Sequence, residues 1–234
     1  VGNATYSPNC VADYTLMLML MSLRKMKRIM QRAELNDFSL QGIQGRELPN
    51  LTVGVVGTGR IGRSVIRNLT GFGCRILAYD LYENEEAKAC ATYVNLDTLY
   101  AQSDLITLHM PLTNDNFHMI NESSISQMKD QVVLINTARG GLIDTKALIE
   151  NIESGKIGAA GLDVIENEFG MYYFDRKSDI LDKRDLYILR GFPNVIVTPH
   201  MAFYTDQAIS DMVKHSLESC LLVDQGKPNP WNVL

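Results

Sequence analysis

Gly57, Gly59 and Gly62 close an apolar run, T-V-G-V-V-G-T-G-R-I-G over Thr52 to Gly62, and Asp80 ends the next one, R-I-L-A-Y-D. Each glycine answers a separate demand of holding a pyrophosphate. Gly57 permits the tight turn, Gly59 lets the backbone approach the phosphates, and Gly62 lets the following helix pack closely on its strand. The first turn of that helix, at Arg60 and Ile61, offers unpaired N–H groups and the positive end of a dipole to an anion. A carboxylate about 20 residues further on accepts hydrogen bonds from ribose hydroxyls and repels a 2′-phosphate, so Asp80 favours NAD over NADP. Leu81, not a basic residue, stands directly after it.

Two more residues carry chemistry at the ends of apolar runs. Arg139 lies in N-T-A-R-G-G, Asn136 to Gly141, where small neighbours hold it at a strand terminus. Its planar fork matches a carboxylate bidentately; taken alone, a structural ion pair is the competing explanation. His200 ends V-I-V-T-P-H and is suited to giving or taking a proton near neutral pH. A carboxylate beside it would favour the charged imidazole. D-V-I-E-N-E supplies Glu168 as the favoured partner and Glu166 as the alternative, and sequence alone does not choose between them. His109, before Met110 and Pro111, either touches the cofactor through its backbone or anchors a loop. His118 and His215 lie in polar or helical surroundings and are assigned no role. No group of residues has metal-ligand spacing, so no metal is expected.

These residues need elements to position them. β-rich runs near Val53 to Val56, Arg75 to Tyr79, Leu105 to His109, Val132 to Asn136 and Ala159 to Asp163 alternate with helical ones. The clearest helices are Arg60 to Phe72, Leu96 to Ser103 and Thr145 to Ser154, the last capped by Asp144. Alternation of this kind predicts βαβ units and a doubly wound α/β fold of Rossmann type with a parallel sheet. Ser7 and Pro8 start a helix expected to run to about Leu35. Glu166 to Phe192 reads as a long irregular segment bearing Phe169, Tyr172, Tyr173 and Phe174. A short strand, Val195 to Thr198, and a helix from Thr205 to about Gln225 complete the chain. Ligands of such sheets bind beyond the carboxyl ends of the strands. The polar residues to question are therefore Gly57 to Ile61, Asp80, His109 to Leu112, Thr137 to Gly140, Asp163 to Glu168, Pro199 and His200.

The chain has 234 residues, 46% of them hydrophobic, and a formal charge of −5. That balance argues against a nucleic-acid partner and for a small ligand. Cys10, Cys74, Cys90 and Cys220 are scattered, which fits reduced thiols in a cytoplasm. The run Thr15 to Leu23 is too short to span a bilayer, so no membrane partner is expected. Because the chain opens at Val1 on what reads as the approach to a mid-protein helix, further residues are expected upstream.

The fingerprint, N-T-A-R-G, G-L-D-V-I-E-N-E and T-P-H-M-A-F-Y-T occur in one order. Together they resemble the D-isomer-specific 2-hydroxyacid dehydrogenases, including the D-lactate dehydrogenases and the lactate-forming dehydrogenase of vancomycin-resistance clusters. These share Y-S-P-N/D-x-V-A-D-Y-T-L, V-G-V-V-G-T-G-R-I-G and F-G-C-R-I/V-L-A-Y. The likeness covers nearly the whole chain. It implies NAD-dependent reduction of a 2-oxoacid to a D-2-hydroxyacid, with Arg139, Glu168 and His200 catalytic and His200 the proton donor. Asp163 falls near the nicotinamide carboxamide and Asp80 at the ribose, while Phe203, Tyr204 and Tyr6 flank the substrate. Gly57, Gly59, Arg60, Ile61, Gly62, His109, Pro111, Thr137 and Ala138 complete the cofactor set.

The resemblance implies two-domain subunits, which in this family are usually paired as homodimers. Residues 1–203 correspond to the NAD-binding domain with its long interdomain and dimerisation helix. Residues 204–234 belong to a flavodoxin-like substrate domain, most of which lies in a family segment outside this chain. The Met-rich stretch of the first helix is the expected dimer seam. Other readings are a glycerate, phosphoglycerate or formate dehydrogenase of the same superfamily, an NAD-sensing interaction protein on this fold, or an inactive NAD-binding fragment.

Overall fold

A computed structural model describes residues 6–230. Seven strands form one sheet in the order β3-β2-β1-β4-β5-β6-β7, and every neighbouring pair is parallel. They are β1 (Thr52–Val56), β2 (Arg75–Tyr79), β3 (Thr92–Tyr93), β4 (Leu105–Leu108), β5 (Val132–Asn136), β6 (Ile157–Leu162) and β7 (Val195–Val197). The continuous apolar runs of β4 and β5 are buried throughout, as strands covered by helices on both faces must be.

On one face α1 (Asn9–Leu23) and α3 (Arg60–Thr70) place Leu18, Met19, Val65, Ile66 and Leu69 against Val53, Val55 and Ile135. The other face buries Leu99 of α5 (Leu96–Gln102), Ile125 of α6 (Glu122–Gln127) and Leu148 and Ile152 of α7 (Thr145–Glu153). Asp144 caps α7 by accepting from the N–H groups of Lys146 and Ala147. The strand order reverses between β1 and β4, and their carboxyl ends open the crevice where such sheets take ligands.

Three expectations need correction. The first helix is not continuous from Pro8 to Leu35: it ends at Leu23, Lys25 turns left-handed (φ 54°), and α2 (Met26–Glu34) follows. A continuous helix would give the Leu23 carbonyl to the N–H of Lys27. Here Arg46, on the returning chain, donates to it at 3.0 Å instead. The Lys27 ammonium in turn donates to the carbonyls of Arg190, Phe192 and Val195. Pro8 is the cap of α1 rather than its first residue, and Ser7 Oγ accepts from Asn9 N at 3.3 Å. The stretch up to Phe192 is not wholly irregular either. Its last part is α8 (Arg184–Gly191), which buries Leu186 and Leu189. Short α4 (Glu85–Lys88), β3 and α6 add to the expected elements, and α9 (Asp206–Asp224), capped by Thr205, is the last described helix.

Candidate active site

The fingerprint turn is built mostly of backbone. Gly57 has φ +96°, and a Cβ there would lie 2.8 Å from the His109 carbonyl group. At Gly62 a Cβ would meet the Gly57 oxygen at 1.9 Å, so only hydrogen permits this helix-to-strand contact. Gly59 differs. It caps α3 with no side-chain hydrogen bond, and a Cβ there would meet nothing within 4 Å. Open space in front of free helix N–H groups at Arg60, Ile61 and Gly62 is the shape and charge that a pyrophosphate fits.

Asp80 closes the cradle from the second strand. Its Oδ2 accepts from Thr58 N at 2.6 Å and Thr58 Oγ1 at 3.1 Å, and Oδ1 accepts from Tyr82 N at 3.2 Å. The Tyr93 hydroxyl donates to Thr58 Oγ1 at 2.7 Å, a brace that the spacing of residues did not reveal. Arg60, beyond the turn, donates to the Tyr6 carbonyl at 3.2 Å and so ties the fingerprint to the start of the chain.

Beside it lies a cleft of about 220 Å3 lined by Tyr6, Ile61, His109, Pro111, Thr137, Ala138, Arg139, Asp163, His200 and Phe203, with Val11, Met110 and Ala202. Residues drawn from the ends of β4, β5, β6 and β7 thus meet at one opening. Thr137 is held from behind by Thr15 of α1, their hydroxyls 2.8 Å apart and buried. Asn136 organises the next turn, donating to the Arg139 carbonyl and accepting from Ala138 N. The Arg139 guanidinium is exposed, donates to the Ala138 carbonyl, and forms no ion pair among the described residues. Its fork is therefore open to an outside carboxylate, and the structural ion-pair explanation has no partner here.

Glu168 stands behind His200 rather than in the cleft wall. Its Oε1 accepts from His200 Nδ1 at 2.6 Å and its Oε2 from Ile165 N at 3.1 Å. This hydrogen bond raises the imidazole above its usual titration range, against the opposing effect of burial; the Glu168 and Asp163 charges add to the rise and Arg139 opposes it. With Nδ1 occupied, Nε2 is the nitrogen free to exchange a proton. Buried Asp163 fixes the segment that carries His200, accepting from Thr198 Oγ1, Met201 N and Ala202 N. Its carbonyl accepts from His200 N, and His200 is left-handed (φ 55°).

The aromatic residues divide. Phe203 lines the cleft, 6.4 Å ring to ring from His200, whereas Tyr204 is 62% exposed and stacks edge-on against Phe203 from outside. Tyr173, from the aromatic segment, donates to the His200 carbonyl at 2.8 Å and meets Phe203 edge-on. Its placement there was not readable from spacing. Phe169 and Phe174 are exposed. The His109 ring is enclosed, with Nε2 3.0 Å from Thr107 Oγ1, and burial pushes its pKa down to about 3, so it serves as a neutral wall. Glu166, the rejected partner of His200, pairs with His118 at 2.6 Å. No cluster of three potential metal ligands occurs among the described residues.

Fold and cradle define a dinucleotide-binding domain of the doubly wound α/β class. Residues 16–202 match the D-isomer specific 2-hydroxyacid dehydrogenase NAD-binding domain, and the chain belongs to that family and carries its NAD-binding domain. It is 50% identical over 213 residues to an aromatic 2-oxoacid reductase of Clostridium sporogenes, covering 91% of this chain and 64% of that relative. Among solved structures, a D-lactate dehydrogenase from Treponema pallidum superposes with TM-score 0.93 at 40% identity, over 98% of this chain and 70% of the other. The D-lactate dehydrogenase from Aquifex aeolicus, complexed with NAD and lactic acid, gives 0.88 at 40% identity, over 95% and 68%. The chain thus spans 64% of the length of the C. sporogenes reductase.

Proposed function

We propose that the whole protein reduces a 2-oxoacid to a D-2-hydroxyacid with NADH, taking up one proton, in the lactate-to-aromatic range of side chains. The observation that carries this reading is the His200–Glu168 pair at 2.6 Å beside an exposed, unpaired Arg139 in one cleft. NADH, when bound, would supply the hydride for the carbonyl carbon. Arg139 grips the substrate carboxylate and stabilises charge developing on the carbonyl oxygen, which gives both orientation and transition-state stabilisation. His200 donates its Nε2 proton to that oxygen, and Glu168 keeps the imidazole charged and oriented.

For the cofactor, Gly57 to Gly62 hold the pyrophosphate, Asp80 the ribose, and Thr137, Ala138, Asp163, His109 and Pro111 the nicotinamide side. Tyr6, Phe203, Met110 and Val11 make the substrate wall apolar, which supports an apolar 2-oxoacid. Tyr204 contributes from outside the wall, at the rim. Residues 1–203 form the NAD-binding domain and 204–234 belong to the substrate domain. In support, α9 packs through Ala208 near Cys10 and Val11, while Val213, Leu217 and Leu221 stay exposed.

The partner is a second copy of the protein. Leu18 and Met19 of the Met-rich stretch are wholly buried in the chain's own core, while Met17 is exposed, so the seam takes in the outer face of that stretch and the following arm, where Met30, Leu35, Phe38 and Leu40 are exposed. No described helix is long and apolar enough to cross a membrane. Four free cysteines support placing the protein in the cytoplasm.

Steady-state kinetics of the full-length protein with pyruvate, 2-oxoisocaproate and phenylpyruvate test the reading. Turnover with NADH to the D-product is expected. No turnover with any of the three overturns the activity, and a preference for NADPH overturns the role of Asp80.

A further inference from the structure

His118 and Glu166 form a second histidine–carboxylate pair that the proposed reaction does not use. His118 Nε2 donates to Glu166 Oε1 at 2.6 Å, and Asp144 lies 3.9 Å from the other ring nitrogen. Glu166 Oε2 accepts from Thr145 N, the first residue of α7, at 2.9 Å. Burial alone would raise the Glu166 carboxyl. The hydrogen bonds from Thr145 and His118 outweigh burial and hold it below the usual carboxylate range, so it is an anchored anion. His118 is itself fixed: Phe117 stacks on its ring at 3.8 Å, and its carbonyl accepts from Asn121.

The anchored segment is the one that carries Glu168. Between the two glutamates Asn167 is left-handed (φ 56°), and their carboxylates engage different histidines. Just before them, Ile165 lies against Gly140, where a Cβ would come 2.1 Å from its carbonyl group. Gly140 follows Arg139 directly. One short loop thus touches the turn bearing Arg139, holds His200 and is moored at its centre by His118 and α7.

We propose that the His118–Glu166 pair is a positioning couple for the reaction inferred above: it moors the loop so that Glu168 meets His200 Nδ1 and the Arg139 turn keeps its place. The groups facing His200 are Glu168, Asp163 and Arg139, with the Tyr173 hydroxyl on its carbonyl. Of these, Glu168 rides on the part of the loop nearest the mooring. Slackening the mooring therefore acts on His200 through Glu168. A role confined to stability would leave His200 unchanged.

The test follows the four histidines of the 234-residue chain by NMR titration, and kcat/KM of the full-length enzyme against pH. In His118→Ala, and independently in Glu166→Ala, the His200 midpoint is expected between that of wild type and that of Glu168→Gln. At a fixed pH on the alkaline side, reductive kcat/KM relative to its acid plateau should be about threefold or more lower in each variant than in wild type. His118→Gln, which keeps an N–H donor near the Nε2 position, should restore most of both. If Glu168→Gln moves the His200 midpoint while both alanine variants match wild type, this inference is overturned and the catalytic assignment stands. If Glu168→Gln moves nothing, the assignment of Glu168 and the inference fail together.

Discussion

The cradle at the ends of β1 and β2 and the cleft at the ends of β5, β6 and β7 sit on the same sheet edge but are made differently. In the cradle, backbone N–H groups, a helix terminus and three glycines do the work, and side chains mostly brace the turn. The cleft relies on side chains from two remote loops, each held by further hydrogen bonds: the Arg139 backbone by Asn136 and its guanidinium on the Ala138 carbonyl, and His200 and its segment by Glu168 and Asp163. A site of backbone tolerates side-chain changes unless they add volume. A site of side chains fails when one functional group is lost.

The sharpest break on the cleft side is His200→Ala in the full-length enzyme. Loss of a positioned proton donor should lower kcat by about 10² to 10⁴ with little change in NADH affinity. Undiminished turnover would show that the imidazole is not the donor. Arg139→Lys keeps the charge but loses the fork, and removal of one charge-assisted hydrogen bond should cost about 10 to 10² in kcat/KM. An unchanged KM for the 2-oxoacid would contradict its role as the carboxylate clamp.

On the cradle side, two glycines separate folding from binding. Gly62→Ala drives a methyl into the Gly57 oxygen and should destabilise the chain by about 1–3 kcal/mol, read by thermal or denaturant unfolding. Gly59→Ala meets only open space, so stability should hold while NADH affinity in a calorimetric titration falls. Equal affinity in Gly59→Ala would remove the pyrophosphate from this turn.

The smallest expected effect is on pH dependence. The Glu168 bond raises His200, so under the proposed reaction the protonated donor should persist to higher pH and reduction should decline as pH passes the raised value. By the same linkage, the pair adds stability that is present below the unfolded imidazole value and lost as pH rises through the folded one. Glu168→Gln should move the alkaline limb of reduction to lower pH. A limb that stays in place would detach Glu168 from the imidazole.

Much of the fold was legible because its signals are local. Apolar runs marked β2 and β5 to the residue, and Asp144 marked the start of α7 by a side chain reaching its own backbone. The fingerprint was complete within one strand, turn and helix. Short α4, α6 and β3 were missed because so few residues carry no usable period, and α8 because only Leu186 and Leu189 of its eight residues are buried.

By itself the sequence determined the parallel α/β architecture, the cradle and the types of residue that meet at the strand ends. All of these follow from chain-neighbour hydrogen bonding and apolar periodicity. Only the tertiary structure decided that the first helix breaks at Lys25, that Tyr204 sits outside the cleft, and that His200 takes Glu168 while Glu166 goes to His118. Each is a competition between partners far apart in the chain. Arg46 captures the Leu23 carbonyl, and two carboxylates two residues apart are sorted by the histidines that packing brings to them.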